Sequence, residues 1–109
     1  MTADDIRAVA LSLPQAVELP HFEKTSFRVG GKIFATLTPD GARLMVKLPE
    51  DIKEALKQYD AEAILPLPGA WDRGGSTLIE VARMDAGQVA DLIRLAWRTV
   101  APAKLKGRA

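Results

Sequence analysis

The 109-residue sequence predicts one α+β domain, a two-layer sandwich in which helices cover one face of an antiparallel sheet. Three stretches carry apolar residues at helical spacing, strand-length runs lie between them, and Gly-Gly and Pro-Asp-Gly turns join the first runs as hairpins do. The length fits one domain, and 48% apolar with 27% charged residues is the composition of an ordinary globular protein.

The elements follow in order. Thr2 and Asp5 resemble a capping box ahead of Ile6, Val9, Ala10 and Leu13, which predicts a helix over 3–13 that ends at Pro14. PQAVELPHFEK has two prolines and no sustained period, and reads as a connecting loop. Phe27–Val29 and Lys32–Leu37 flank Gly30-Gly31, whose freedom at positive φ suits a tight hairpin, and a second turn at 38–41 leads into a third strand over 42–48. Ile52, Ala55, Leu56 and Tyr59 follow with acids in the first turn, predicting a helix over 50–59. Short strands are expected at 64–67 and 77–82, separated by a Pro/Gly-rich loop that holds Trp71. Asp85 and Gln88 then cap a helix over 86–101. The order is α-β-β-β-α-β-β-α, with a domain over 1–101 and a basic, flexible tail over 102–109.

Composition closes several routes to function. There is no cysteine, which excludes disulfides, thiolate metal sites and thiol catalysis. No uncharged stretch approaches the roughly 20 residues that span a bilayer, and the first residues carry acids where a signal peptide carries bases, so a cytoplasmic protein without a membrane partner is expected. His21 is the only histidine and has no metal-pair or base spacing; loop packing or capping is the expected role. Ser12, Ser26 and Ser76 lie outside any nucleophile elbow, and neither glycine pair belongs to a phosphate loop. The acid pairs complement helix dipoles. No enzyme and no cofactor is expected.

Charge is segregated despite a net of +1. Residues 24–49 carry +4, residues 94–109 carry +5, and the remainder carries −8. Plain two-residue and four-residue turns would set Phe27 opposite Phe34, Phe34 opposite Met45 and Ile33 opposite Val46. Alternation then puts Ile33, Ala35, Leu37, Leu44, Val46 and Leu48 on a floor for the helices, and Phe27, Phe34 and Met45 among Lys32, Thr36, Arg43 and Lys47 on the other face. Rings among bases are the arrangement of single-strand nucleic-acid binders. The same rings equally fit a second packed layer, covered by the Trp71 loop or another subunit. Trp71 itself is an anchor for its loop or an exposed stacking residue, and Lys104, Lys106 and Arg108 add charge that meets phosphates or confers solubility.

The first helix ending in SLP, then HFEKTSFRVGGKIFATL, a strand ending in KLP, LPLPGAW and LIRLAWRTVAP resemble the MmcQ/YjbR family over essentially the whole chain, with Ser26–Val29 and Gly31–Ala35 the most specific part. The resemblance implies a two-layer fold akin to secretion chaperones and the double-wing arrangement, and brings the family's label of DNA-binding protein. Gly75-Ser76 stands where many members have an aromatic residue. Two functions stay open: a nucleic-acid-binding module, with DNA as partner, using Lys32, Arg43, Lys47, Phe27, Phe34 and the basic tail; or a protein-interaction or chaperone-like module using the same face toward another protein or a second copy.

Overall fold

A computed structural model describes residues 1–67, 69 and 75–106. All expected helices and strands form in the expected order, and among the described residues one further strand, a 3-10 turn at Val81–Arg83 and one short α-helix accompany them. The elements are α1 (Ala3–Leu11), β1 (Val17–His21), β2 (Lys24–Val29), β3 (Lys32–Leu37), β4 (Arg43–Lys47), α2 (Glu50–Tyr59), β5 (Ile64–Leu65), β6 (Ser76–Glu80), α3 (Ala86–Val100) and α4 (Ala103–Lys106). The strands make one antiparallel sheet in the order β1-β2-β3-β4-β6-β5.

Local chemistry starts the helices where the sequence says. Asp5 N donates to Thr2 Oγ1 at 3.1 Å and Thr2 N to Asp5 Oδ2 at 2.9 Å, a complete capping box. Asp85 accepts from Gly87 N and Gln88 N, but the Gln88 amide does not return to the cap; it donates to Asp60 Oδ2 at 2.8 Å and ties α3 to the end of α2.

The stretch expected to be a connecting loop contains β1, the edge strand of the sheet. Its proline hid it. With Phe22 and Glu23 as a two-residue turn, His21 and Lys24 close the hairpin, so Pro20 and Thr25 form a pair that exchanges no backbone bonds. Pro20 therefore turns its missing N–H toward the outer edge, where the ladder loses nothing.

The β2–β3 hairpin turns on Gly30 and Gly31, both at positive φ, as expected. Its register departs from expectation. Arg28 pairs with Ile33, but Phe27 pairs with Ala35 rather than Phe34, leaving Phe34 as the extra residue of a β-bulge. One added residue inverts the alternation beyond it, so Phe27 shares a face with Ala35, and Phe34 turns inward as well. Both phenylalanines are fully buried, their ring centroids 6.5 Å apart, while Ile33, expected on the helix floor, lines the opposite face. The next turn also differs. Thr38 N donates to Arg43 O at 3.1 Å, so the loop spans 39–42 and Ala35 pairs with Val46 and Thr36 with Met45. This is a shift of two residues, which preserves the faces of β4: Leu44 and Val46 inward, Met45 outward.

One apolar core results. Phe27, Phe34, Leu37, Leu44, Val46 and Ile79 of the sheet meet Ile6 and Ala10 of α1, Leu56 of α2 and Val89, Ile93 and Trp97 of α3. The Trp97 indole N–H donates to Pro14 O at 3.0 Å, fastening α3 to the end of the first helical segment. Packing also continues past the boundary expected at residue 101. Pro102 stands where a side chain at Gly30 would meet it, at 3.0 Å, and Leu105 of α4 is buried in the core. Trp71 and Arg108 lie outside the described residues.

The bulge makes a direct prediction. Phe34→Ala should cost about 3–5 kcal/mol, whereas Ile33→Thr on the other face should cost under about 1 kcal/mol. Urea denaturation of both variants checks this, and equal losses would contradict the register. A second prediction concerns acid. The Asp40 carboxylate accepts from Ala42 N at 2.9 Å and from the Thr38 hydroxyl at 2.7 Å, which hold its pKa below the ordinary 3.8. A depressed carboxylate stabilises the fold above its unfolded pKa and loses that contribution as pH falls through the folded value. Asp40→Ala should therefore melt below wild type at neutral pH, with the gap narrowing once pH drops below about 4.

Candidate functional site

The helices occupy one side of the sheet, and no described element covers the other. Across that open side the register aligns Leu19, Ser26, Thr36, Met45, Leu78 and Leu65, one residue from each strand. Along this row lies a trough of about 1010 Å³, with Ile33, Met45, Leu67 and Leu78 as its apolar lining. Val17 and Leu19 on β1 share the same face by register and are exposed at 49% and 45%. Thr36 and Ser76 also line the trough and are buried.

Its polar groups sit at two ends. At the β1–β2 turn stand His21, Glu23 and Lys24, beside the apolar Phe22 ring; toward the β2–β3 turn stand Lys32, Lys47 and Ser76. The Lys47 ammonium donates to Ser76 Oγ at 2.9 Å, and the two residues face each other across β4 and β6. Gly75 makes this approach possible: at φ +80 its Cβ would come within 2.8 Å of Leu48 O, and its own carbonyl accepts from Leu48 N at 3.0 Å.

Phe22 is the least expected member. It is 95% exposed, its ring meets His21 edge-on at 4.9 Å, and its φ is +57. A residue with a Cβ holds that left-handed conformation at a cost of about 1–2 kcal/mol, and here no burial offsets it.

Charge pairing separates the two sides. On the helices and the turn after β6, Arg7 meets Asp4 and Glu18, Lys57 meets Glu54, Arg83 meets Glu62 and Glu80, and Arg94 meets Asp91. Among the described residues, Lys24, Lys32 and Lys47 have no carboxylate within ion-pair distance, so three lysines against one lining acid, Glu23, give the trough a net positive field.

Of the residues chosen from sequence, Lys32 and Lys47 reach the trough. Arg43 stands four residues from Lys47 on β4, directly opposite Glu80 and outside the lining. Phe27 and Phe34 are on the wrong side of the sheet to touch a ligand there, having been turned into the core by the bulge. Lys104 and Lys106 flank the buried Leu105 and do not line the trough. Sequence reasoning missed the contribution of β1: the apolar Val17 and Leu19, and His21, alternate with period two, but Glu18 and Pro20 between them read as loop. No group of three His, Asp or Glu side chains among the described residues could hold a metal ion, and no described helix is long and apolar enough to cross a membrane.

Comparison with known proteins follows the fold. A family model described as YjbR matches residues 11–99. The crystal structure of Deinococcus radiodurans protein DR2400, with family-model domain DUF419, superposes with a TM-score of 0.81 at 24% identity, covering 98% of this chain and 86% of that one. No curated protein matches.

The strain at Phe22 is measurable. Phe22→Gly removes the left-handed penalty and adds back glycine's greater unfolded entropy of about 0.5–1 kcal/mol, so the variant should be as stable as wild type or more stable by up to about 1 kcal/mol. Thermal unfolding checks this; a clear loss would mean the ring supports the fold.

Proposed function

Starting from a chain that belongs to the YjbR family, we propose that it is a non-catalytic protein-interaction module whose open sheet face receives an apolar segment of a partner protein. One observation carries the reading: Ile33, Met45 and Leu78 line a trough that no described element covers, continuous with exposed Val17 and Leu19. Burying such surface is worth roughly 25 cal/mol per Å², so a matching partner gains where water now stands.

A nucleic-acid reading keeps one support and loses another. Lys24, Lys32 and Lys47 could meet phosphates, but the two rings expected to stack on bases, Phe27 and Phe34, are within the core. Among the described residues lining the trough, Phe22 is the one exposed phenyl ring, and a single ring is a small platform for a strand.

Selection from a random peptide library separates the two. Selected peptides should bind wild type and lose affinity at least about tenfold to Met45→Glu, which places a charge in the trough while leaving the core intact, with a salt dependence much shallower than that of phosphate-backbone binding. Single-stranded and duplex oligonucleotides are titrated in parallel. If they bind with an affinity that falls steeply with salt while no peptide is selected, the trough serves nucleic acid and the proposal fails.

A further inference from the structure

Resting on that reading, we propose that the segment received by the trough is extended and carries an acidic residue at each end of an apolar centre, spaced i, i+2 and i+4 as acid, apolar, acid. The trough is itself built in that order. Lys24 stands at one end, the cross-strand row that holds Thr36, Met45 and Leu78 crosses midway along the strands, and Lys32 with Lys47 stands at the other end. These three ammonium groups have no carboxylate partner among the described residues, and Glu23 is the one acid of the lining.

The spacing follows from strand geometry. Counting by register, Lys24 lies one step of two residues beyond the Ser26–Thr36–Met45 row, and Lys47 lies one step beyond it on the opposite side, two strands away. Steps of about 6.7 Å along strands and 4.8 Å between them put the two Cα atoms roughly 16 Å apart. An extended chain sets residues i and i+4 on the same face about 13 Å apart, and flexible lysine stems span the difference. Residue i+2 then falls over Thr36, with the Met45 side chain one strand, about 4.8 Å, to its side. A nucleic-acid backbone suits this arrangement poorly, because its charges recur at every nucleotide and one would be desolvated over the apolar row. An amphiphile with a single anionic head would use one end and leave the other unmatched. Lys47 is the better fixed anchor: one of its three donors is held by Ser76, which orients the remaining two.

Fluorescence anisotropy on the full chain tests the assignment, using a dye-labelled twelve-residue peptide with glutamates and a leucine at those positions in a Ser/Gly background. Replacing each glutamate by glutamine should weaken binding by about fivefold, the worth of one partly exposed ion pair. A Lys24→Glu, Lys47→Glu variant, with its fold checked by circular dichroism, should reverse the preference toward a peptide with lysines at both ends. If the glutamine peptide binds wild type as tightly, and binding still disappears in Met45→Glu, the acidic bracket is wrong while the interaction face stands. If no peptide binds and Met45→Glu converts a wild-type dimer into a monomer by sedimentation, the trough belongs to a second copy, and the acidic-segment proposal is overturned.

Discussion

The pairing of β2 with β3 carries one residue more on β3, and the distribution of apolar surface over the whole sheet depends on it. Without the bulge, Phe27 and Phe34 would face away from the helices and the core would lose its two largest sheet side chains. With it, both rings pack beneath α1 and α3, and Ile33 moves to the side that no described element covers. The same residue count thus fills the interior and trims the open face to medium-sized aliphatic side chains. A stacking surface becomes an apolar trough through one insertion in one strand.

The other shaping constraint is electrostatic. Arg7, Lys57, Arg83 and Arg94, on the helices and beside β6, are matched by carboxylates three residues away or on a neighbouring element, as with Arg7, which bridges Asp4 on its own helix and Glu18 on β1. Such pairs sit near the surface and contribute little stability each. Their effect is to cancel those four charges. The lysines around the trough lack such neighbours, so the polarity of the molecule arises as much from where acids are withheld as from where bases are placed.

Most of the architecture was legible in the chain because local signals agree with tertiary demands: the Thr2–Asp5 box, the Gly30-Gly31 turn and the α3 pattern of Val89, Ile93 and Trp97 all stand where the sequence puts them. Three features were not legible, each for a physical reason. A bulge has no distinct residue signature, since Phe34 satisfies strand patterning on either face. The loop after β3 closes through Thr38 and Arg43, fixed by the bonds that Asp40 makes across it, and turn residues alone do not fix the closing pair. β1 violates strand composition at Pro20, and only knowledge of which of its bonds face outward shows that the violation is harmless. Two of the three moved site residues. The first removed two rings from the candidate surface, and the third concealed Phe22, His21 and Lys24.

Pro20 has a further consequence for the life of the molecule in a crowded solution. An open sheet with an apolar face and a bare lateral strand is a template on which identical chains can stack, strand against strand, into fibrils. The outward groups of β1 belong to Glu18 and Pro20, and the proline has no hydrogen to give. A docking strand would meet a gap in the ladder and a ring projecting toward it. The same residue that disguised the strand thus discourages self-templated growth along that border.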